Sequence, residues 1–200
     1  MSYENASALK PGQVQVSGAY GTSDEHRFED DQFNFVQNYF GRVGVGLKGG
    51  FGLYGSYYHK GRRDPDGLWS FSDDYETSAY DLYELGFKYT IIEKELALKG
   101  GLGMYFVEND YVAQGLNLQI IYSYRFNPHI DGSLIMHGTG VYEQNGYGLV
   151  LGLNAGAGFS TNLERWAIRP EIGFNMRTFT AGIGLEIKLN KMESALKKAR

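Results

Sequence analysis

The chain has 200 residues, a formal net charge of -4 from 19 basic and 23 acidic side chains, and no cysteine. Disulfide frameworks and thiolate metal sites are therefore excluded, and the charge balance provides no basic field of the kind that holds nucleic acid. Glycine at 28, tyrosine at 16 and phenylalanine at 12 against 4 prolines, within a 42% apolar content, describe a folded all-β chain rather than a disordered or collagenous one.

No stretch approaches the roughly 18 consecutive apolar residues of a membrane-spanning helix. A closed sheet also satisfies its backbone internally, however, and shows only period-two alternation. The opening residues 1–10 lack the apolar centre of a secretory signal, which leaves a cytosolic chain or a processed form, and the processed form is the expectation. The predicted organisation is an N-terminal segment over 1–10, a barrel over 11–190 and a basic tail over 191–200.

From Pro11 onward, alternating segments separated by turn-rich stretches predict about ten strands, with eight as the second count. The first, Gln13 to Gly21, sets Val14, Val16 and Tyr20 against Gln13, Gln15 and Ser17. An acidic loop leads to the second, near Val36 to Lys48, with Tyr39, Val43, Val45 and Leu47 on one side. A Lys48 to Gly50 turn precedes the third, Phe51 to His59, which empties into a long loop from Lys60 to Thr77. The fourth, Tyr80 to Thr90, and the fifth, Leu96 to Val107, alternate Tyr83, Leu85, Phe87, Leu98, Leu102 and Met104 with Glu84, Gly86, Lys88, Lys99, Gly101 and Gly103. A loop is expected around Glu108 to Gln114. The sixth strand is the clearest: Leu116, Leu118, Ile120, Tyr122, Tyr124 and Phe126 oppose Asn117, Gln119, Ser123 and Arg125, and Asn127-Pro128 then turns the chain. The seventh, Ser133 to Tyr142, is ambiguous in phase. The eighth, Tyr147 to Phe159, places Leu149, Leu151 and Leu153 opposite glycines. In the ninth, Trp166, Ile168, Ile172, Phe174 and Met176 face away from Arg169, Glu171 and Arg177, with Pro170 weakening its pairing; the tenth ends at Leu189. Short and long connections alternate, an asymmetric up-and-down meander.

Period alone does not say which face meets water, because soluble and lipid-embedded barrels share it with opposite polarity. The glycines decide the matter. They fall on the polar face, at Gly44, Gly86, Gly101, Gly103, Gly152, Gly156, Gly158, Gly173, Gly182 and Gly184 among others, where a water-facing strand would favour threonine, lysine or glutamate. A narrow lumen calls for small residues. The same face carries Arg42, Glu84, Lys88, Lys99, Arg125, Arg169, Glu171, Arg177, Glu186 and Lys188, predicted as a lumen charge network. The opposite face is almost uncharged, as a lipid-facing wall requires, and aromatics such as Tyr20, Tyr39, Tyr57, Tyr89, Tyr124, Phe126, Phe159 and Trp166 near strand ends fit interfacial girdles.

Over Pro11 to Leu189 this pattern resembles small outer-membrane β-barrels of Gram-negative bacteria, the group that includes OmpA-like barrel domains. The resemblance implies residence in the outer membrane and partners that include its lipid and the barrel-assembly machinery. Thr180, Gly182, Leu185 and Ile187 resemble a last-strand assembly signal, although residues 190–200 follow where such signals end in an aromatic. Ser2 to Gly12 resembles the segment that follows the processing site of exported barrels.

Candidate chemistry is sparse. His59 precedes a loop with Asp64, Asp66, Asp73 and Asp74, and His26 lies among Glu25, Glu29, Asp30 and Asp31; both permit a rim hydrolase without demanding one. His137 with Thr139 or Ser133 does not reproduce the spacing of a lipid A deacylase motif, and a satisfied strand histidine is the simpler reading. Asp64 to Gly67 is a turn signal with too few ligands for calcium, and Lys94 and Lys99 do not belong to a phosphate-cradling loop. No cofactor or metal is implied, and no surface ligand is identified. The expected role is structural or surface-interacting; a narrow passive pore, a rim hydrolase and a soluble barrel binding an apolar ligand are the alternatives.

Overall fold

The computed structural model describes residues 3–25, 35–61, 79–107, 109–143, 146–175 and 178–189. Ten strands follow one another: β1 (Val14–Glu25), β2 (Phe35–Gly46), β3 (Phe51–Lys60), β4 (Tyr80–Ile92), β5 (Leu96–Val107), β6 (Asp110–Asn127), β7 (Ile130–Glu143), β8 (Gly146–Phe159), β9 (Trp166–Asn175) and β10 (Thr178–Leu189). Each pairs antiparallel with its neighbour in sequence, and β10 returns to β1, from Val14↔Leu189 to Glu25↔Thr178, closing the barrel. Closure removes both free edges, so each strand finds its hydrogen-bonding partners within the sheet.

The expected loop around 108–114 is strand from Asp110 onward. Tyr111 and Ala113 continue the ladder against Phe106 and Tyr105 across a register shift that absorbs one extra residue. At Pro170 the β10 side stays paired, with Ile183 opposite, while the β8 ladder is interrupted between Gly156↔Glu171 and Phe159↔Ile168. Proline has no N–H to donate there.

The chain enters and leaves the barrel at the end that carries the short turns. A 3-10 turn at Lys48–Gly50, with Gly49 and Gly50 at φ 74° and 80°, joins β2 to β3. Residues 93–95 join β4 to β5, and 160–165 join β8 to β9. The ends of β1 to β4 linked by 26–34 and 61–79 lie at the opposite end.

Alternation sorts the side chains cleanly between two faces. Leu118, Ile120, Leu151 and Leu153 are exposed on the outer wall, and Leu85 and Leu102 retain 71% and 70% of their accessible surface. Arg42, Glu84, Lys99, Arg169, Glu171 and Glu186 are buried inside. β7 follows the same rule: Leu134 and Met136 face out, while Ile135 is buried in an apolar cluster with Ile121, Ala97 and Ala6. Both phases of this strand are apolar because the lumen contains an apolar layer at that height. The outer wall also carries two rows of aromatics. Tyr20–Tyr39 (5.5 Å between ring centroids), Tyr57–Tyr83 (5.2 Å) and Tyr142–Tyr147 (5.0 Å) lie toward the long-loop end, with Phe51–Tyr89 (4.5 Å) and Tyr124–Phe126 (5.1 Å) toward the short-turn end.

Candidate functional site in the barrel lumen

The site begins with a turn. Pro11 and Gly12 occupy the middle of a reversal in which Gln13 N–H donates to Lys10 O at 2.8 Å, and Gly12 has φ 76°, as a type II turn requires. Gly12 N–H also donates to Gly46 O at 2.8 Å, and Lys10 N–H to Gln13 Oε1 at 3.0 Å. The chain before this turn consequently runs back inside the barrel, where Tyr3, Glu4, Asn5 and Ala6 are all buried.

Side chains from around the wall hold this segment. Glu4 forms an ion pair with Arg42 of β2 and lies 3.6 Å from Lys99 Nζ of β5. Lys88 of β4 donates to the carbonyls of Asn5 (2.5 Å) and Ser7 (3.1 Å), and Thr90 Oγ1 donates to Ala6 O at 3.0 Å. Ala6 N–H donates to Ser123 Oγ of β6 at 2.8 Å, Asn5 Nδ2 to Asp131 Oδ2 of β7 at 3.0 Å, and Tyr3 N–H to Glu171 Oε2 of β9 at 2.7 Å. A buried backbone without such partners would be costly, so this polar wall is what permits an extended peptide inside a barrel.

Glycines make the room. A Cβ at Gly184 would lie 2.9 Å from the Tyr3 ring; one at Gly182 would meet the Tyr3 hydroxyl, and one at Gly46 would meet Leu9 and Lys10. Others accommodate the wall's own large side chains: Gly86 and Gly101 face Tyr54, Gly152 faces His137, and Gly158 faces Asp131 and Arg169. The glycine-rich face thus belongs to a filled lumen.

A second charge cluster is built from β7, β9 and β10. Arg169 contacts Asp131 through both terminal nitrogens, at 2.7 and 3.0 Å, and Glu186 through Nε at 3.3 Å; Lys188 lies 3.0 Å from Glu186. Asn154 donates to Glu171 at 2.9 Å and Asn117 to Glu84 at 3.0 Å, while Lys99 Nζ sits 4.2 Å from the centre of the Tyr54 ring. Toward the long-loop end the lumen becomes aromatic, with Tyr80 between Tyr58 (5.9 Å) and Tyr105 (5.6 Å).

At the short-turn end, residues 160–165 fold over the mouth. Leu163 is buried, its carbonyl accepts from Lys188 at 3.3 Å, and Glu164 reaches Lys94 (3.5 Å) and Arg125 (3.4 Å). Burial raises the Glu164 pKa, but Lys94, Lys188 and Arg125 together outweigh it and hold this carboxyl below its usual range.

Of the predicted network, Arg42, Lys88 and Lys99 meet at the N-terminal segment, and Arg169, Glu186 and Lys188 meet at the second cluster. Glu171 binds the segment backbone, and Glu84 binds Asn117. Arg125 lies at the mouth, where it also donates to Pro128 O at 3.4 Å, and Arg177 is outside the described residues. Gly182 faces Tyr3 and Thr180 faces Gly173, while Leu185 and Ile187 are exposed on the outer wall. His59 Nδ1 lies 2.8 Å from Asp81 Oδ1, which also accepts from Tyr57 at 2.7 Å. Of the acidic residues named beside His59 and His26, Glu25 ends β1, and those at 29–31, 64, 66, 73 and 74 lie outside the described residues, as do His26 itself and the tail 191–200. Sequence reasoning missed Glu4, Asn5, Ser123 and Asp131 as site residues. Asp131 was legible by stepping back two from Ser133 on the polar phase; for Glu4 the one local signal was the Pro11-Gly12 reversal just before the first strand.

No protein-family model matches the chain, and no curated protein matches it. Among solved structures it is similar to the attachment invasion locus protein Ail of Yersinia pestis in complex with sucrose octasulfate, at 15% identity and TM-score 0.42 over 90% of this chain and 100% of that one. It is also similar to the translocator domain of autotransporter NalP from Neisseria meningitidis, at 7% identity and TM-score 0.48 over 90% of each chain. The outer membrane protease OmpT from Escherichia coli matches at 10% identity and TM-score 0.47, over 92% and 100% of the two chains. The likeness is one of overall architecture.

Proposed function

We propose that this chain is an outer-membrane β-barrel with a structural or surface-interaction role, its lumen closed on the short-turn side by its own N-terminal segment. One observation carries the reading: the outer wall is exposed and apolar between two aromatic rows, while the interior is charged and hydrogen-bonded. A soluble barrel would reverse that polarity, since burial of apolar surface drives folding in water. Lipid on the outside reconciles the two faces. The short-turn end then faces the periplasm and the long connections face outward, where surface contacts would be made. Assembly through the last strand, with Thr180, Gly182, Leu185 and Ile187 as the recognised residues, belongs to the same proposal.

The test is electrophoresis of protein folded into detergent or lipid, with and without boiling. A folded band of altered mobility that disappears on boiling supports the reading; extraction from cells without detergent, with no such band, overturns it.

A further inference from the structure

The lumen contains more cation than its own wall balances, and the N-terminal segment makes up the difference. Arg42 and Lys99 share the Glu4 carboxylate, and Lys88 donates to the carbonyls of Asn5 and Ser7. These three cations stand on the β2, β4 and β5 wall; the nearby wall acids are Glu84 of β4, itself accepting from Asn117, and Glu186 of β10, two strands from Arg42 across Ser17. The acids of β7, β9 and β10 are held differently. Asp131 and Glu186 are held by the wall cations Arg169 and Lys188, and Glu171 accepts from the wall residue Asn154, while from the segment Asp131 and Glu171 accept the neutral donors Asn5 Nδ2 and Tyr3 N–H.

From this asymmetry we propose that the Arg42–Lys88–Lys99 cluster is a transit site for small inorganic anions, occupied in the closed state by Glu4 and the segment carbonyls. Withdrawing residues 3–9 toward the mouth opens an anion-selective path. The segment belongs to no strand, is linked to β1 through the Pro11-Gly12 turn, and is held by side-chain contacts that break without disturbing the ladder. When it leaves, Asp131 and Glu171 each lose a neutral donor and keep their wall partners, while the three cations lose a carboxylate and two carbonyls. The vacated path is therefore positive where it was most crowded. The glycines facing Tyr3, Leu9 and Lys10 leave width along the same route. This inference rests on the membrane-barrel reading above.

The test is planar-bilayer recording under a potassium chloride gradient, using the full chain. Gly184→Val is the first opener: it fills the space of the Tyr3 ring without changing any charge. Glu4→Gln is the second and removes the shared carboxylate. Both are expected to raise conductance above that of the unsubstituted protein, with a reversal potential shifted toward that of chloride. In the Gly184→Val background, Lys88→Gln with Lys99→Gln should abolish that preference. An Ala6→Cys, Ser123→Cys pair added to Gly184→Val joins positions already in contact in a chain without other cysteines; it should close the path when oxidised and reopen it on reduction. Heat-modifiable mobility is checked on every variant, so failure to form a barrel is distinguished from failure to conduct. Folded openers that carry no current, or a current that favours potassium, would overturn the proposal.

Discussion

Arg169 of β9 reaches past β8 to grip Asp131 of β7, with hydrogen bonds of 2.7 and 3.0 Å, while its Nε lies 3.3 Å from Glu186 of β10. It passes over Gly158, where a Cβ would lie 2.6 Å from Arg169 Nη1. This one guanidinium, 2% exposed, therefore ties three strands together from inside. Replacing it takes the cation from buried Asp131 and leaves buried Glu186 to Lys188. Arg169→Met is expected to cost about 3–5 kcal/mol, whereas Arg125→Met at the mouth costs less than about 1 kcal/mol. Urea unfolding of the two variants in lipid vesicles measures the difference.

The Pro11-Gly12 reversal sends the N-terminal segment into the lumen, and it depends on a φ of 76° at Gly12. A β-branched side chain there costs about 1–2 kcal/mol. Gly12→Val is expected to release residues 3–9 to an added protease while the barrel keeps its heat-modifiable band. Cleavage at an unchanged rate would show that the turn does not hold the segment.

Glu164 anchors the 160–165 turn over the mouth through Lys94 and Arg125. Its folded-state pKa is lowered from an ordinary 4.5, so its contribution is present above that value and is lost as the pH falls below it. The pair is half-exposed and screened, so the contribution stays below about 1 kcal/mol. Proteolysis of the turn should rise on acidification in the parent protein and show less pH dependence in Glu164→Gln.

The outer wall makes a depth-dependent prediction. Leu85→Arg, at the most exposed apolar position, is expected to cost about 2–4 kcal/mol in a bilayer, while Tyr20→Arg in the aromatic row costs about 0–1 kcal/mol. Equal costs at the two positions, measured by reversible unfolding in vesicles, would remove the bilayer as their cause.

The wall was legible in the sequence because its signal is local: alternation separates Leu118 and Ile120 from Asn117 and Gln119 whatever the rest of the chain does. Phase failed at β7, where Ile135 is as apolar as Leu134 and Met136 but packs inward against Ile121 and Ala6. That arrangement follows from what fills the lumen, which no single strand records. The segment around Glu4 was unreadable for the same reason. It has no periodicity, and its partners lie as far away as Asp131 and Glu171. The excess of inward glycines was visible, but it suggested a narrow tube; its physical cause is the volume of Tyr3, Tyr54, His137 and Arg169.

The polarity of the wall is tested most directly by nitroxide labels placed singly at Leu116, Asn117, Leu118, Gln119 and Ile120, in a chain with no native cysteine. In vesicles, lipid-dissolved oxygen should relax labels at 116, 118 and 120 strongly and those at 117 and 119 weakly. Strong relaxation at 117 and 119 with protection of the leucine and isoleucine positions would mean that the apolar face is the interior, and the membrane barrel would be refuted.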